Sequence, residues 1–88
     1  MTGLQARVLM CAQDYFARVG YAATTHDISE RLGYGRRAHG SVVGALYNLT
    51  RRGYISRNPE GNQRGFTPTI LGYATVNGRE LPIFPVSL

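Results

Sequence analysis

The amino-terminal fifth of the chain has the residue pattern of one amphipathic helix. Its apolar residues recur at three- and four-residue spacing, which places them on one broad face of a helix of about four turns. Thr2 and Gln5 form a Thr-x-x-Gln capping box at its start, and Gly20 stands where a left-handed C-cap is expected. With 88 residues the chain has room for one core, so the remaining elements are expected to pack on this helix. The apolar stripe consists of Leu4, Val8, Leu9, Ala12, Tyr15, Phe16 and Val19.

Two further helices are predicted before residue 53. Thr24 and Asp27 form a second capping box, and the helix that they begin is expected to end at Gly33. The next segment, residues 34–40, contains two glycines and is not predicted as helical. A third helix is predicted from Ser41 to Arg51-Arg52-Gly53, with cations near its end and glycine after it. The apolar positions of the two helices are Ile28, Leu32, Val42, Ala45, Leu46 and Leu49.

The second half of the chain predicts a β-hairpin. Residues 54–57 alternate as a strand, residues 58–65 are dense in turn formers, and Phe66-Thr67 resumes an extended run that Pro68 ends. Tyr21-Ala22-Ala23 is a further short extended candidate. Together with the helices, these strands predict an α+β domain.

A short fourth helix and a tail complete the prediction. Thr69 is expected to cap a helix from Ile70 to about Val76. The end of the chain is apolar, but its two prolines exclude a regular helix. The sequence thus predicts one domain over residues 1–78, followed by an apolar, proline-containing tail over residues 79–88.

The positive charge is concentrated in the middle of the chain. All ten basic residues are arginines, and the formal net charge is +5. Residues 31–64 contain seven arginines and one acid (+6), whereas residues 1–30 contain two arginines and three acids (−1). The remaining residues, 65–88, are neutral (1 − 1 = 0). Because the planar guanidinium group donates two hydrogen bonds to one phosphate, this distribution indicates a nucleic-acid partner.

The composition argues against an enzyme and against a membrane protein. No apolar run approaches the ~18–20 residues of a membrane span, so a cytoplasmic protein is expected. Cys11 is the only cysteine, which excludes an internal disulfide and a cysteine-rich zinc site, and no base lies near it in the sequence. His26 and Glu30 are four residues apart, but further metal ligands are few. We therefore expect no catalytic activity, no metal and no cofactor.

Three segments resemble winged helix-turn-helix DNA-binding domains. Thr24–Gly33 is similar to their second helix, and Ala45–Ile55 is similar to the end of their recognition helix with its Arg-Gly-aromatic-Ile run into the wing. Phe66–Pro68 resembles the exit from the wing strand. The similarity covers roughly residues 4–76, and within this fold the chain resembles MarR-like and LexA-N-terminal-like regulators. It implies a small winged helix-turn-helix domain with a three-helix core, a β-hairpin wing and a short fourth helix.

The chain departs from this family pattern in two places. The stretch from Leu32 to Val42 is about three residues longer than the usual turn, which allows a late start of the recognition helix or an extra turn before it. Val43 and Gly44 stand where the family often has serine and arginine. Gly44 either permits close approach of the backbone to DNA or, as part of Gly40-x-x-x-Gly44, close packing of helix on helix.

The resemblance implies a sequence-specific protein that binds double-stranded DNA, as a transcriptional regulator such as a repressor. Its third helix would enter the major groove, and its wing would lie against the backbone. The arginines before this helix suit guanine, and Asn48 suits adenine. The candidate DNA-binding residues are Arg36, Arg37, His39, Ser41, Tyr47, Asn48, Arg51, Arg52, Arg57 and Arg64.

A protein partner is the alternative. Val43 and Gly44, together with Tyr34, Tyr47 and Tyr54, which are predicted to be exposed, would suit a winged-helix module that docks on polymerase or on another regulator. The sequence also leaves a homodimer open, because the apolar tail can pack either on the first helix or on a second copy.

Overall fold

Four helices and two short antiparallel strand pairs form an α+β structure in the part of the chain that is described. The computed structural model describes residues 1–35, 39–58, 65–76 and 79–80, with the backbone alone at residues 39, 58, 76, 79 and 80. The elements are α1 (Gly3–Val19), α2 (Thr25–Arg31), α3 (His39–Arg51), β1 (Ile55–Asn58), β2 (Gly65–Pro68), α4 (Ile70–Tyr73), β3 (Thr75–Val76) and β4 (Arg79–Glu80).

Both predicted capping boxes are present. At the start of α1 the backbone amide of Gln5 donates to Thr2 Oγ1 at 3.1 Å, and the amide of Thr2 donates to Gln5 Oε1 at 3.2 Å. At the start of α2 the amide of Asp27 donates to Thr24 Oγ1 at 3.1 Å, and the amide of Thr24 donates to Asp27 Oδ2 at 3.0 Å. Each box satisfies two amides that a helix start leaves without partners. The predicted starts of these two helices are confirmed.

The core lies where α1, α2 and α3 meet the hairpin. The predicted inner face of α3 is buried, as is Ile28 of α2, whereas Leu32 is half-buried and Val19 at the end of α1 is exposed. The short extended segment before α2 contributes Ala23. The buried core residues are Val8, Leu9, Ala12, Ala23, Ile28, Val42, Ala45, Leu46, Leu49, Tyr54 and Ile55.

The third helix begins at His39, two residues before the predicted start at Ser41. The prediction stopped at Gly40 because glycine weakens a helix by about 1 kcal/mol relative to alanine. Packing of the buried Val42, Ala45 and Leu46 that follow it outweighs this local preference. The earlier start adds two residues of the longer Leu32–Val42 stretch to α3, His39 and Gly40.

The end of α3 follows the prediction. Gly53 has a φ of 83°, a left-handed conformation that glycine adopts without strain. Its amide donates to Thr50 O at 3.1 Å, and the amide of Tyr54 donates to Leu49 O at 2.9 Å. These two hydrogen bonds form a Schellman motif, which turns the chain from α3 directly into β1.

The predicted hairpin is formed by β1 and β2, which pair antiparallel from Ile55 opposite Pro68 to Asn58 opposite Gly65. The predicted tip, residues 59–64, lies outside the described residues. Ala23 forms an isolated antiparallel bridge to Phe66, so the extended segment predicted around residue 23 is confirmed at that position. The hairpin is thereby joined to the segment between α1 and α2.

The fourth helix is shorter than predicted. Thr69 caps it as expected, accepting from the amide of Gly72 at 3.1 Å, but α4 ends at Tyr73 and not near Val76. The β-branched Thr75 and Val76 instead pair with Arg79 and Glu80 as β3 and β4. The sequence between these strands, Asn77-Gly78, is the dipeptide most typical of two-residue hairpin loops. Of the predicted tail, residues 79–80 form β4, and residues 81–88 lie outside the described residues.

Candidate nucleic-acid interface

One face of α3 is open to solvent along its whole length. Its exposed residues are three or four positions apart, as the face of a helix requires, and they alternate with the buried residues that contact α1 and α2. This geometry presents a continuous helical surface to a partner. The exposed residues are Gly40, Ser41, Gly44, Tyr47, Asn48 and Arg51.

The amino-terminal half of this face has no large side chain at its exposed, described positions. A Cβ atom added at Gly40 or at Gly44 would have no heavy atom of another element within 4 Å in the structure as described. The interpretation of Gly40-x-x-x-Gly44 as a helix-packing motif is therefore wrong, because both glycines lie on the exposed side of α3. Another molecule can approach the α3 backbone closely at Gly44.

The carboxyl-terminal half of the face is polar and basic. Tyr47 is 54% exposed, and Asn48 and Arg51 are exposed beside it. Arg52 follows in the Schellman turn, and Arg57 is exposed on β1. Aromatic, amide and guanidinium groups are thus available for stacking, base-edge hydrogen bonds and phosphate contacts.

The acidic side chains that the structure describes all belong to α1 and α2, and each has a partner there. Asp14 Oδ1 lies 2.8 Å from Arg18 Nε, and Asp14 Oδ2 lies 3.6 Å from Arg31 Nη1. Glu30 Oε2 lies 3.5 Å from His26 Nε2. Asp27 belongs to the capping box of α2. The described negative charge therefore lies on α1 and α2, where each carboxylate has a partner.

The arginines of α3, its C-terminal turn and β1 form no ion pair with any described acidic group. Arg51, Arg52 and Arg57 all remain exposed, without the pairing that holds Arg18 and Arg31. Within the described residues, their charge is offset by no carboxylate, and salt screens it. This difference between the two groups of arginines is the clearest electrostatic feature of the described surface.

The structure places the ten predicted DNA-binding residues as follows. Ser41, Tyr47, Asn48 and Arg51 share the exposed face of α3. Arg52 follows that helix, and Arg57 lies on β1. His39 is the first residue of α3, with only its backbone described. Outside the described residues are Arg36, Arg37 and Arg64.

Two of the three tyrosines predicted as a docking surface are not available as such. Tyr54 is only 2% exposed, because the turn at Gly53 directs it into the core. Tyr34 is half-buried, its ring lies 5.1 Å from the Arg7 guanidinium carbon, and its hydroxyl accepts a hydrogen bond from Arg7. Tyr47 alone of the three is exposed. The prediction of an exposed tyrosine surface is wrong for Tyr54 and Tyr34.

Sequence reasoning also missed a polar cluster that joins α1 to α2. Arg31 lies over the ring of Tyr15 with 4.9 Å between guanidinium carbon and ring centroid. Burial acts to raise the pKa of Asp27, but hydrogen bonds from Thr24 and from the Tyr15 hydroxyl outweigh it and lower that pKa below its ordinary value. Partial burial raises the pKa of Tyr15, and the Asp27 carboxylate raises it further. The cluster stabilises the start of α2, against which α3 packs.

Cys11 has the environment of a structural thiol. It is half-buried against the core, and burial raises the pKa of its thiol. A raised pKa keeps the sulfur protonated, whereas the thiolate is the nucleophilic form. Among the described residues no group of three histidine, cysteine or acidic side chains is arranged to hold a metal ion. The helices described include none long and apolar enough to span a bilayer.

Comparison of the sequence with models of known protein families gives no match, and comparison with curated protein sequences gives no significant similarity.

Proposed function

We propose that the chain is a small winged helix-turn-helix protein that binds double-stranded DNA sequence-specifically and regulates transcription. One observation carries the proposal. The exposed face of α3 is lined with small, amide and guanidinium-bearing residues, and the arginines that follow it lack acidic partners in the described part of the chain.

The order of elements supports this fold. Helix α1, the Ala23 bridge, helices α2 and α3, and the β1–β2 hairpin follow one another as in a winged helix, with Ala23 in the position of the first strand. In such a domain α3 is the recognition helix and the hairpin is the wing. The Schellman turn at Gly53 couples the two directly.

The dimensions of α3 suit the major groove. A helix with its side chains is about 10–12 Å across, which matches the groove width of about 12 Å, and the 13 residues of α3 give it a length of about 20 Å. The absence of side-chain bulk at Gly44 lets the helix lie deep in the groove. Asn48 is then in a position to pair with adenine N6 and N7, and Ser41 to contact a base edge nearer the helix start.

The arginines supply affinity that does not depend on sequence. Arg51 and Arg52 lie at the end of the proposed recognition helix, and Arg57 lies on the proposed wing, where contacts to flanking phosphates are expected. If five or six phosphates are neutralised in all, log K falls against log salt with a slope of about −4 to −5. Occlusion of a promoter, or recruitment of a partner to it, would follow from such binding.

The experiment is a selection of bound duplexes from a random pool, followed by anisotropy titrations of the selected duplex from 50 to 200 mM salt. We expect an enriched motif, a steep salt dependence, and a relaxed preference at one base position in Asn48→Ala. The matched variant Gln5→Ala, which removes an amide from the remote end of α1, is expected to leave the preference unchanged. A pool that shows no enrichment would contradict sequence-specific binding.

A protein-docking role for the same face is the second candidate, and the exposure of Tyr47 favours it. Tyrosine is enriched at the centres of protein interfaces. A gel shift with random duplex at low salt separates the two functions. No retardation at micromolar protein would favour the docking role, whereas retardation would favour DNA.

A further inference from the structure

Helix α4 packs directly on the turn that joins α3 to β1. Gly72 of α4 is buried so closely against the carbonyl group of Tyr54 that an added Cβ atom would overlap it, and the same atom would lie 3.4 Å from Gln13 Nε2 of α1. Leu71 packs against the core, and its Cδ2 atom lies 3.8 Å from the place that a Cβ atom of Gly53 would take. Close backbone contact therefore holds α4 against the turn.

The hydroxyl group of Thr69 forms two hydrogen bonds at this contact. Its Oγ1 accepts from the backbone amide of Gly72 at 3.1 Å, which caps α4. It also donates to the carbonyl oxygen of Gly53 at 2.6 Å, across 16 residues of sequence. A hydroxyl group has one donor proton and two acceptor lone pairs, so both bonds form at once. One side chain thus caps α4 and clamps it to the turn after α3.

This clamp stands where the β1–β2 ladder ends. Ile55 opposite Pro68 is the last pair of the ladder, and proline has no backbone amide hydrogen to donate. The amides of Gly53 and Tyr54 are bonded to carbonyl oxygens of α3, whereas the carbonyl oxygen of Gly53 is bonded by Thr69. The turn is therefore tied to α3 through its amides and to α4 through the Gly53 carbonyl group.

The angle between α3 and the hairpin depends on these ties. Gly53 has the left-handed φ of 83°, and glycine has more conformational freedom than any other residue, so contacts from outside the turn are needed to hold one angle. Arg57 lies on β1 after this turn, and Asn48 and Arg51 lie on α3 before it. The position of Arg57 relative to the exposed face of α3 consequently follows from the conformation at Gly53.

We propose that Thr69 is a positioning residue for DNA binding. Its hydroxyl group fixes the β1–β2 hairpin relative to α3, so that Arg57 and the exposed face of α3 contact one duplex together. Thr69 acts through Gly53 and requires no contact of its own with DNA. The part of this inference that concerns DNA rests on the proposed function, whereas the part that concerns the angle between α3 and the hairpin does not.

Three substitutions separate the two hydrogen bonds of Thr69. Thr69→Val keeps the shape of the side chain and removes both bonds, and Thr69→Ser keeps both. Thr69→Asp keeps the cap, because aspartate is a favourable N-cap residue, but its ionised carboxylate has no proton to donate to Gly53 O. The matched control is Thr75→Val, because Thr75 Oγ1 donates to Leu71 O at 3.0 Å, a bond that joins β3 to α4.

Residual dipolar couplings of the full-length protein without DNA test the angle. We expect α3 and the β1–β2 hairpin to keep the wild-type relative orientation in Thr69→Ser and in Thr75→Val, and to lose it in Thr69→Val and in Thr69→Asp. The aspartate variant retains its cap, so it provides the measurement if the valine variant does not fold. An unchanged orientation in Thr69→Asp would overturn the proposal, whatever the protein binds.

Anisotropy titrations with the selected duplex test the consequence for DNA. We expect Thr69→Val to weaken binding about three- to tenfold, the factor that one hydrogen bond contributes to an equilibrium, and Thr69→Ser and Thr75→Val to bind nearly as the wild type does. We also expect Arg57→Gln to weaken binding less in Thr69→Val than in the wild type, because a displaced hairpin has already lost part of that contact. Wild-type affinity in Thr69→Val, or additive effects of the two changes, would overturn the positioning role.

The two measurements distinguish failure of this inference from failure of the proposed function. A wild-type protein that binds no duplex, with an orientation that changes in Thr69→Asp, would contradict the proposed function and support the clamp. A wild-type protein that binds the duplex, with an orientation that does not change, would support the proposed function and overturn the clamp.

Discussion

The backbone amide of Phe66 donates a 2.9 Å hydrogen bond to the carbonyl oxygen of Ala23, across 43 residues of sequence. Ala23 is fully buried, so this bond fixes β2 against the helical core and not merely against β1. The position of the hairpin relative to α3 therefore depends on a close approach of two backbones.

Gly65 is required for that approach. A Cβ at this position would lie 2.5 Å from Ala23 O, closer than real contacts allow. We expect Gly65→Ala to lower the free energy of unfolding by about 1–3 kcal/mol, as overpacking of a close contact does. Urea denaturation followed by far-ultraviolet circular dichroism measures it, and wild-type stability in this variant would show that the two strands are not held so closely.

At Gly44, in contrast, we expect substitution by alanine to raise the free energy of unfolding. No described atom of another element lies within 4 Å of a Cβ added at Gly44, and alanine is the better helix former, so Gly44→Ala is expected to stabilise the protein by about 0.5–1 kcal/mol. If α3 enters the major groove, the same variant binds the selected duplex more weakly, because the methyl group occupies the gap. Urea denaturation and anisotropy on one preparation check both effects. Stabilisation with unchanged affinity would exclude close contact at Gly44.

Arginines that differ in pairing are expected to differ in their effect on binding. Arg57→Gln and Arg18→Gln each remove one positive charge, but Arg57 has no described acidic partner, whereas Arg18 is paired with Asp14. We expect Arg57→Gln to make the slope of log K against log salt shallower by about 0.9, and Arg18→Gln to leave it nearly unchanged. Equal effects of the two variants would indicate that only net charge matters.

The capping box of α2 predicts a loss of stability in acid. Because the pKa of Asp27 in the folded protein lies below its ordinary value of 3.8, the unfolded chain takes up the proton first as pH falls. The contribution of Asp27 is fully present well above pH 3.8 and is lost as the pH falls through the folded pKa. Asp27→Asn is expected to lower the unfolding free energy at pH 7 by about 0.5–1.5 kcal/mol. It is also expected to make the loss of stability between neutral and acid pH less steep.

The control for this prediction is Glu30→Gln, which changes the same charge on the same helix but leaves the hydrogen bonds of Thr24 and Tyr15 in place. Urea midpoints from pH 6 to pH 2.5 compare the three proteins. If stability falls with pH as steeply in Asp27→Asn as in the wild type, the loss of stability in acid does not come from Asp27.

Features that depend on residues close in sequence were predictable. Thr2 with Gln5, Thr24 with Asp27, and Thr69 before α4 all act within one helical turn, and all three caps are where their sequence patterns indicate. Local preference failed where tertiary packing opposed it. Packing of the buried residues after Gly40 keeps that glycine within α3. Thr75 and Val76 pair with β4 and are therefore not part of α4.

The candidate site was predictable only in its helical part. The periodicity of the buried face of α3 identifies Ser41, Tyr47, Asn48 and Arg51 as its outer face by elimination. The burial of Tyr54 depends on the direction of the chain after Gly53, and the stacking of Arg7 on Tyr34 joins residues 27 positions apart. Neither leaves a signal in a single sequence.

The unequal pairing of acidic and basic groups has a kinetic consequence. The described carboxylates lie on α1 and α2, and the described arginines that have no described acidic partner lie on α3, the turn after it and β1, so the described part of the chain is electrically asymmetric. A polyanion exerts a torque on such a molecule before the surfaces touch, within a screening length of about 10 Å at 0.1 M salt. Encounters are thereby biased toward productive orientations, and the association rate falls as ionic strength rises.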